Sequence, residues 1–343
     1  MSKCYLISAN CYLNHMHEYI SKQIYEAIQN AKRIMIIPHQ DPDGDALGSV
    51  SAFAYLLKRM NKPFTLFCST PVVDKATSLP HIVKIETDHL VWGKHDFDLV
   101  IILDTGDIKR SGIGEHLKKL KDAVIVNIDH HPTNTQFGTY NLVIPQASST
   151  SEIIYYFFKH NNLPIDKNIA VSLLTGLITD TDNFSNGATN QASLKIASEL
   201  IHRGANFNMI KTWFLKNKSI TTLKLWGVAL SRLTKHDTHD FVHTHIKRSD
   251  LDETQASEEE TDGIANFLNN VGEGSAAILL KETADGKIKA SLRTTKENFD
   301  VGAIAKALGG GGHKKASGFT MEGTVESVLV RIGEEVEKLG EMV

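Results

Sequence analysis

Four short stretches of this chain concentrate carboxylates and imidazoles: His39-Gln40-Asp41-Pro42-Asp43-Gly44-Asp45, Asp104-Thr105-Gly106-Asp107, Asp129-His130-His131-Pro132 and Thr179-Asp180-Thr181-Asp182-Asn183-Phe184. Oxygen and imidazole donors of this kind suit hard or borderline divalent cations. Two such cations held about 3.5–4 Å apart can activate water for in-line attack while neutralising phosphoryl oxygens, which removes the need for a protein nucleophile. Each stretch also has a plainer reading. Asp43 with Gly44 and Ala46 is the composition of a capped helix start, and Asp104 could bond to nearby amides in a turn. Adjacent His130 and His131 in extended chain point to opposite sides, so only one is expected to bind a given metal directly, with its neighbour left to contact phosphate or support a ligand. Four such clusters at four element ends favour one dinuclear centre over four unrelated turns.

A fifth stretch, Gly309-Gly310-Gly311-Gly312-His313-Lys314-Lys315-Ala316-Ser317-Gly318-Phe319, is chemically different. Successive residues without Cβ let backbone amides close on an anion, and His313 beside them suggests phosphate; the alternative is a flexible turn. Arg293 in Ser291-Leu292-Arg293-Thr294 has the planar fork for bidentate phosphate capture, or is a surface charge on a strand. Ser148, Ser149 and Thr150 read equally as a helix cap and as substrate contacts.

The elements that must position these residues are legible from periodicity. Ile34–Ile37, Leu99–Leu103 and Val124–Ile128 are apolar, β-branched runs followed by the first three acidic clusters, as expected of buried parallel strands joined by crossover helices. Leu47, Val50, Ala54 and Leu57 share one helical face between the first two. Ile153, Ile154, Phe157 and Phe158, then Ala170, Val171, Leu174, Leu177 and Ile178, mark two further helices. Beyond an acidic segment, 254–262, the order changes to helix near 260–270, strands near 275–282 and 287–294, and helix again. The expected fold class is therefore α/β, a parallel-sheet lobe with flanking helices plus a smaller α/β C-terminal lobe and an active site in the cleft between them. The expected boundaries are an extension at 1–20, a metal-binding catalytic domain at 21–215, a linker at 216–240 and a substrate-binding domain at 241–343. Ligands bind outside the carboxyl ends of strands in such open sheets, where three of the acidic clusters fall.

Bulk properties narrow the function. The 343 residues are 41% apolar with a formal net charge of −3, which disfavours non-specific coating of long nucleic acid and leaves short or locally held polyanions. Cys4, Cys11 and Cys68 form no CxxC pair, so neither a disulfide framework nor a thiolate zinc site is expected. No signal peptide or membrane-spanning stretch is read, and a cytoplasmic protein without membrane partners is expected. His236, His239, His243 and His245 fall in a polar alternating segment and are expected to face solvent.

The ordered set HQDPDGDALGS, DTGD, DHH and TGLITDTDNF resembles the four motifs of the DHH phosphoesterase superfamily. GGGGHKKASGF and Arg293 resemble the signature of its associated DHHA1 substrate domain, so the likeness runs from about residue 21 to about 335. It is most similar to the branch of nanoRNases and pAp phosphatases, which also includes hydrolases of cyclic di-AMP and its linear product. The resemblance implies His39 and Asp43 on one metal, Asp45, His130 and Asp180 on the other, and Asp104 bridging; with those two histidines and four carboxylates Mn2+ is the expected metal, and Co2+, Fe2+, Zn2+ or Mg2+ could substitute. It implies that Asp129 orients His130 and that His131 serves the scissile phosphate or leaving oxygen. Arg293, Gly310, Gly311, Gly312, His313 and Ser317 are then the expected substrate-binding residues. The substrates implied are short oligoribonucleotides or small nucleotides, not long duplexes, and a homodimer is admitted. Two departures stand out: Asp182 where the family often has glycine, and Ser185 where it often has a basic residue. A manganese inorganic pyrophosphatase is the nearest enzymatic rival, disfavoured by the glycine-rich fifth motif. A catalytically silent nucleotide sensor is the rival from another class, and retention of every expected ligand argues against it.

Overall fold

The computed structural model describes residues 2–72, 79–80, 82, 84–120, 122–216, 218–261 and 263–340. The chain divides into two compact units, Met1–Asn217 and Lys218–Val343. The first is built on a five-stranded sheet of β1 (Ile34–Ile37), β2 (Phe64–Leu66), β3 (Leu99–Leu103), β4 (Val124–Asp129) and β5 (Tyr140–Val143), all parallel, in the order β2-β1-β3-β4-β5. Because β2 lies outside β1 and the chain returns to place β3 on β1's other side, the order reverses between β1 and β3. Their carboxyl ends flank a topological switch point, where a crevice for ligand opens.

Helix α1 (Ser2–Asn30) leads into β1 and runs through the expected boundary at residue 20, with Ile24 and Ile28 fully buried one turn apart. Helix α2 (Gly44–Arg59) follows β1, and the short α3 (Val91–Lys94) and α4 (Gly114–Leu117) lie before and after β3. Helices α5 (Thr150–His160), α6 (Lys167–Asp180), α7 (Gln191–His202) and α8 (Phe207–Lys211) complete the unit. The apolar stripes expected on α2, α5 and α6 are all buried in one core with Ile34, Ile36, Leu99, Ile101 and Ile128, whereas Met35, Ile37, Val100 and Ile102 bury the opposite face of the sheet. Strands covered on both faces have no polar side to alternate with, which is why they read as continuous apolar runs.

Within 216–240 the chain forms α9 (Ile220–Ser231) and β6 (Thr234–Lys235), both in the second unit. The unit continues through β7 (Phe241–Ile246), α10 (Arg248–Thr254), α11 (Ile264–Phe267), β8 (Ala276–Glu282), β9 (Ile288–Arg293), α12 (Val301–Ala307), β10 (Gly311–Gly312), β11 (Ala316–Met321) and α13 (Val325–Gly340). Its sheet runs β10-β11-β9-β8-β7-β6 and is antiparallel except for the β7–β8 pair. Ile278, Leu280 and Ala290 pack against Val301, Ile304, Val328 and Ile332 on one face, and Ala277 and Leu279 against Leu225, Ala229, Leu251 and Ile264 on the other. One expectation is corrected here: His236, His239, His243 and His245 are half-buried, not solvent-facing. The His236 ring lies 4.6 Å from that of Phe241 and 4.9 Å from that of His239, so these side chains shield an aromatic cluster. Among the described residues no helix is long and apolar enough to cross a membrane.

Candidate metal centre

The loops that leave β1, β3 and β4 and the end of α6 bring six side chains together. His39 Nε2 lies 3.7 Å from Asp104 Oδ2 and 3.9 Å from Asp43 Oδ1. On the other side, His130 Nε2 lies 3.7 Å from Asp104 Oδ1 and 3.5 Å from Asp180 Oδ2. Ligand atoms lie within 4.8 Å of one another in the sets His39/Asp43/Asp104, Asp45/His130/Asp180 and Asp104/His130/His131. Asp104 thus belongs to two groups and offers a different oxygen to each. Four carboxylates and two imidazoles around two adjoining spaces are a donor set that fits two small divalent cations.

Local structure explains how each side chain arrives. Asp43 is the N-cap of α2, accepting from the amides of Asp45 and Ala46 at 2.9 and 3.0 Å, so capping and proximity to His39 are served by one residue. Asp45, on the first turn of α2, is 1% exposed and spans to the start of α5, where its two oxygens accept from the Thr150 and Ser151 amides at 2.6 and 3.0 Å. Asp104 is 2% exposed and sits in left-handed backbone, φ 55°, a conformation Asp and Asn tolerate better than other non-glycine residues. The Thr150 hydroxyl donates to Asp104 Oδ1 at 2.9 Å. Asp107, the second carboxylate of its cluster, caps a short 3-10 turn by accepting from the Lys109 amide and does not join the centre.

The expectation that Asp129 orients His130 is corrected. Asp129 Oδ1 pairs with His131 Nδ1 at 2.7 Å, whereas His130 Nδ1 approaches the Ala147 carbonyl oxygen at 3.4 Å. The strand ends at Asp129, so the two histidines do not take opposite sides as expected of extended chain: His130 Nε2 and His131 Nδ1 lie 3.7 and 3.8 Å from the same oxygen, Asp104 Oδ1. The far oxygen of Asp129 accepts from Asn134 Nδ2, which also donates to Asn127 in β4. Neither asparagine carries a sequence signal beyond the polarity of Asn127 inside an apolar strand.

Electrostatically the cluster is a cation trap. Burial raises Asp45, Asp104 and Asp180, the last to about 7, and their mutual repulsion adds to it. Burial alone would lower His130, but Asp180, Asp104 and Asp45 carry it up to about 9. His131 is raised in the same way, burial being outweighed by Asp129 and Asp104. Burial would raise Asp129, yet its bonds to His131 and Asn134 hold it below the usual carboxylate range. A concentration of carboxylates whose ionisation is opposed by burial is relieved by bound positive charge.

Close helix packing sets the spacing. A Cβ at Gly44 would meet Thr179 Cγ2 at 2.3 Å, and one at Gly48 the Ser172 carbonyl oxygen at 2.4 Å, so α2 and α6 approach along a stripe of glycines. A Cβ at Gly176 would lie 2.0 Å from Ser151 Oγ and 2.2 Å from Asp45 Oδ1. Beyond Asp180 the chain turns through three successive left-handed residues, Asp182, Asn183 and Phe184, with φ of 48°, 60° and 62°. The departure at Asp182 therefore falls where glycine is favoured. Left-handed backbone costs a non-glycine residue roughly 1–2 kcal/mol, and glycine returns about half of that as extra freedom in the unfolded chain. Asp182→Gly is expected to raise stability by about 0.5–1 kcal/mol, read as a higher Tm in metal-free buffer; a lower Tm would contradict it.

In the second unit, Gly311 and Gly312 form β10 against Gly318 and Ser317. A Cβ at Gly310 would meet the Gly318 carbonyl oxygen at 2.2 Å, and Gly312 has φ 138°, so two of these glycines are required by the hairpin itself. Ser317, expected to bind substrate, is buried and its hydroxyl donates to the Val301 carbonyl oxygen at 2.6 Å. Arg293 donates through Nε to Asn266 Oδ1 at 2.7 Å and lines a cavity of about 250 Å3 with Lys281, Lys289 and Ser291.

Comparison with known proteins adds the following. The DHH family, N-terminal domain matches residues 33–177 and the DHHA1 domain matches residues 241–339. A Thermus thermophilus protein named bifunctional oligoribonuclease and PAP phosphatase NrnA is 28% identical over 312 residues, 90% of this chain and 91% of that one. A probable manganese-dependent inorganic pyrophosphatase of Streptococcus agalactiae is 24% identical over 302 residues, covering 80% of this chain and 95% of its own. The crystal structure of an exopolyphosphatase-related protein from Bacteroides fragilis has the same fold, with a TM-score of 0.86 at 23% identity over 94% of this chain and 97% of that one.

Proposed function

From the premise that this chain belongs to the DHH family, with a DHHA1 domain after the N-terminal one, we propose that it is a metal-dependent phosphoesterase hydrolysing short oligoribonucleotides and small nucleotides such as pAp. The observation that carries the reading is the convergence of His39, Asp43, Asp45, Asp104, His130 and Asp180 at one end of the parallel sheet. The likeness to the Thermus thermophilus enzyme along nearly the whole chain supports the substrate class.

In this reading two divalent ions, Mn2+ by preference, supply Lewis-acid polarisation of the phosphoryl oxygens and a water of lowered pKa. His39 and Asp43 would hold one and Asp45, His130 and Asp180 the other, with Asp104 shared between the two groups. Asp129 fixes the tautomer and direction of His131 through Nδ1, so that His131 exchanges its proton at Nε2 with the oxygen that leaves. Arg293, Gly311, Gly312 and His313 would bind the non-reacting phosphate, whereas the Gly310 amide already donates to the Ala305 carbonyl oxygen at 2.7 Å. Arg293 has a neutral hydrogen-bond partner in Asn266 and lines a cavity with two lysines, as an anion subsite requires.

The test is hydrolysis by purified protein with Mn2+ of pApA, longer RNAs, pAp, cyclic di-AMP and pyrophosphate. Turnover of pApA or pAp above the others is expected, and dominant pyrophosphate hydrolysis would instead favour the pyrophosphatase reading that the Streptococcus agalactiae relative raises. Arg293→Ala should raise KM for pApA by about 10–100-fold, the loss of one charge-assisted phosphate contact of roughly 1.5–3 kcal/mol, with a smaller change in kcat. An unchanged KM removes Arg293 from the substrate site.

A further inference from the structure

We infer that Thr150 is a positioning residue for the metal centre, acting on the bridging carboxylate from the side of Asp45, His130 and Asp180; the inference rests on the metal reading proposed above. Thr150 is fully buried at the first position of α5. Hydroxyl residues at helix starts ordinarily cap the helix. Here that task belongs to Ser149, whose side chain accepts from the Glu152 amide at 3.1 Å. The Thr150 hydroxyl is directed elsewhere, to Asp104 Oδ1, while its amide donates to Asp45 Oδ2. One residue therefore touches both Asp45 and the bridging Asp104.

The side it acts on is specified by the oxygens. Asp104 Oδ1, which accepts the hydroxyl, is the oxygen near His130, and Oδ2 faces His39. A donor on Oδ1 stops the carboxylate from rotating about its Cβ–Cγ bond and occupies one of the two acceptor positions of that oxygen. Loss of the hydroxyl should weaken the His130 side while leaving His39 and Asp43 their own oxygen of Asp104.

The experiment is Mn2+ titration by calorimetry, with the visible spectrum of the Co2+-loaded protein, on wild type, Thr150→Val, Thr150→Ser and Ser149→Ala, each verified as folded by its melting curve. Thr150→Val preserves shape and the backbone amide, and should weaken one of two binding steps about 10–100-fold, the usual effect of removing a group that orients a ligand. Thr150→Ser should restore that step and the wild-type Co2+ spectrum. Ser149→Ala should lower the melting temperature and leave both steps unchanged. Wild-type binding of two Mn2+ with an unaltered Thr150→Val titration overturns the inference alone. Equal weakening by Ser149→Ala also overturns it, since helix stability would then be the cause. Failure of the wild type to bind Mn2+ overturns the metal reading and this inference with it.

Discussion

Asp104→Asn is expected to lose at least about 1,000-fold in kcat/KM with Mn2+, roughly 4 kcal/mol of transition-state stabilisation, while the metal-free protein melts no lower than wild type. Asparagine is the informative substitution because position 104 is left-handed, where alanine would add backbone strain and asparagine does not. It keeps a carbonyl oxygen for the Thr150 hydroxyl and replaces the other oxygen by an NH2 group that cannot ligate a cation, removing the charge shared between the two ligand groups. The stability half follows from linkage. Burial, with the nearby charge of Asp43, raises the Asp104 carboxyl above its unfolded value, so its ionisation opposes folding at any pH above the unfolded pKa. That penalty grows from the unfolded value up to the folded one and then levels off, and asparagine does not pass through it. Activity within about 10-fold of wild type, some 1.4 kcal/mol, would show that Asp104 does not bridge.

The second large effect is at Gly176. Alanine there gains about 1 kcal/mol in helix propensity, but its methyl would enter space held by Ser151 Oγ and Asp45 Oδ1. Ser151 Oγ can rotate away. Asp45 cannot, because its oxygens are tied to the Thr150 and Ser151 amides. Overpacking in a well-filled core costs about 1–3 kcal/mol, so Gly176→Ala should be destabilised by up to about 2 kcal/mol net and should lose Mn2+ affinity by at least about 10-fold through displaced Asp45. Gly187→Ala, whose Cβ would meet nothing within 4 Å, is the control and should match wild type in both measurements. Normal metal binding by Gly176→Ala would show that the tight approach of α6 to Asp45 is not needed for the site.

Much of this was legible in the sequence, and the parts that were not share physical reasons. β1, β3 and β4 announced themselves because strands buried on both faces are uniformly apolar. β2 and β5 are the edges of the same sheet, short and half-exposed, and Phe-Thr-Leu or Tyr-Asn-Leu-Val carries no pattern distinct from a loop. The ligand candidates were legible as residue types at strand ends. Which histidine Asp129 holds was not, because it depends on where β4 stops being extended and which side each ring takes. Gly48 and Gly176 look like neutral positions until the partner helix is known, since a period of 3.6 reports a face and not the distance to what lies against it. The half-burial of the histidines between 236 and 245 is hidden for a related reason: alternation with polar residues does not say what lies against each ring, such as α13, whose Gly333 and Glu337 adjoin His239.

The candidate ligands are drawn from a stretch of chain that begins at His39 and ends at Asp180, gathered by the strand order at one end of the sheet. A divalent ion held there would act as a clasp, because it would tie the loops after β1, β3 and β4 to the end of α6 without any covalent link. Opening that clasp would release the ion, so the stability of the first unit would become a function of its free concentration, rising by about 2.7 kcal/mol at 100 times the dissociation constant. Metal scarcity would then silence the chemistry and loosen the scaffold together.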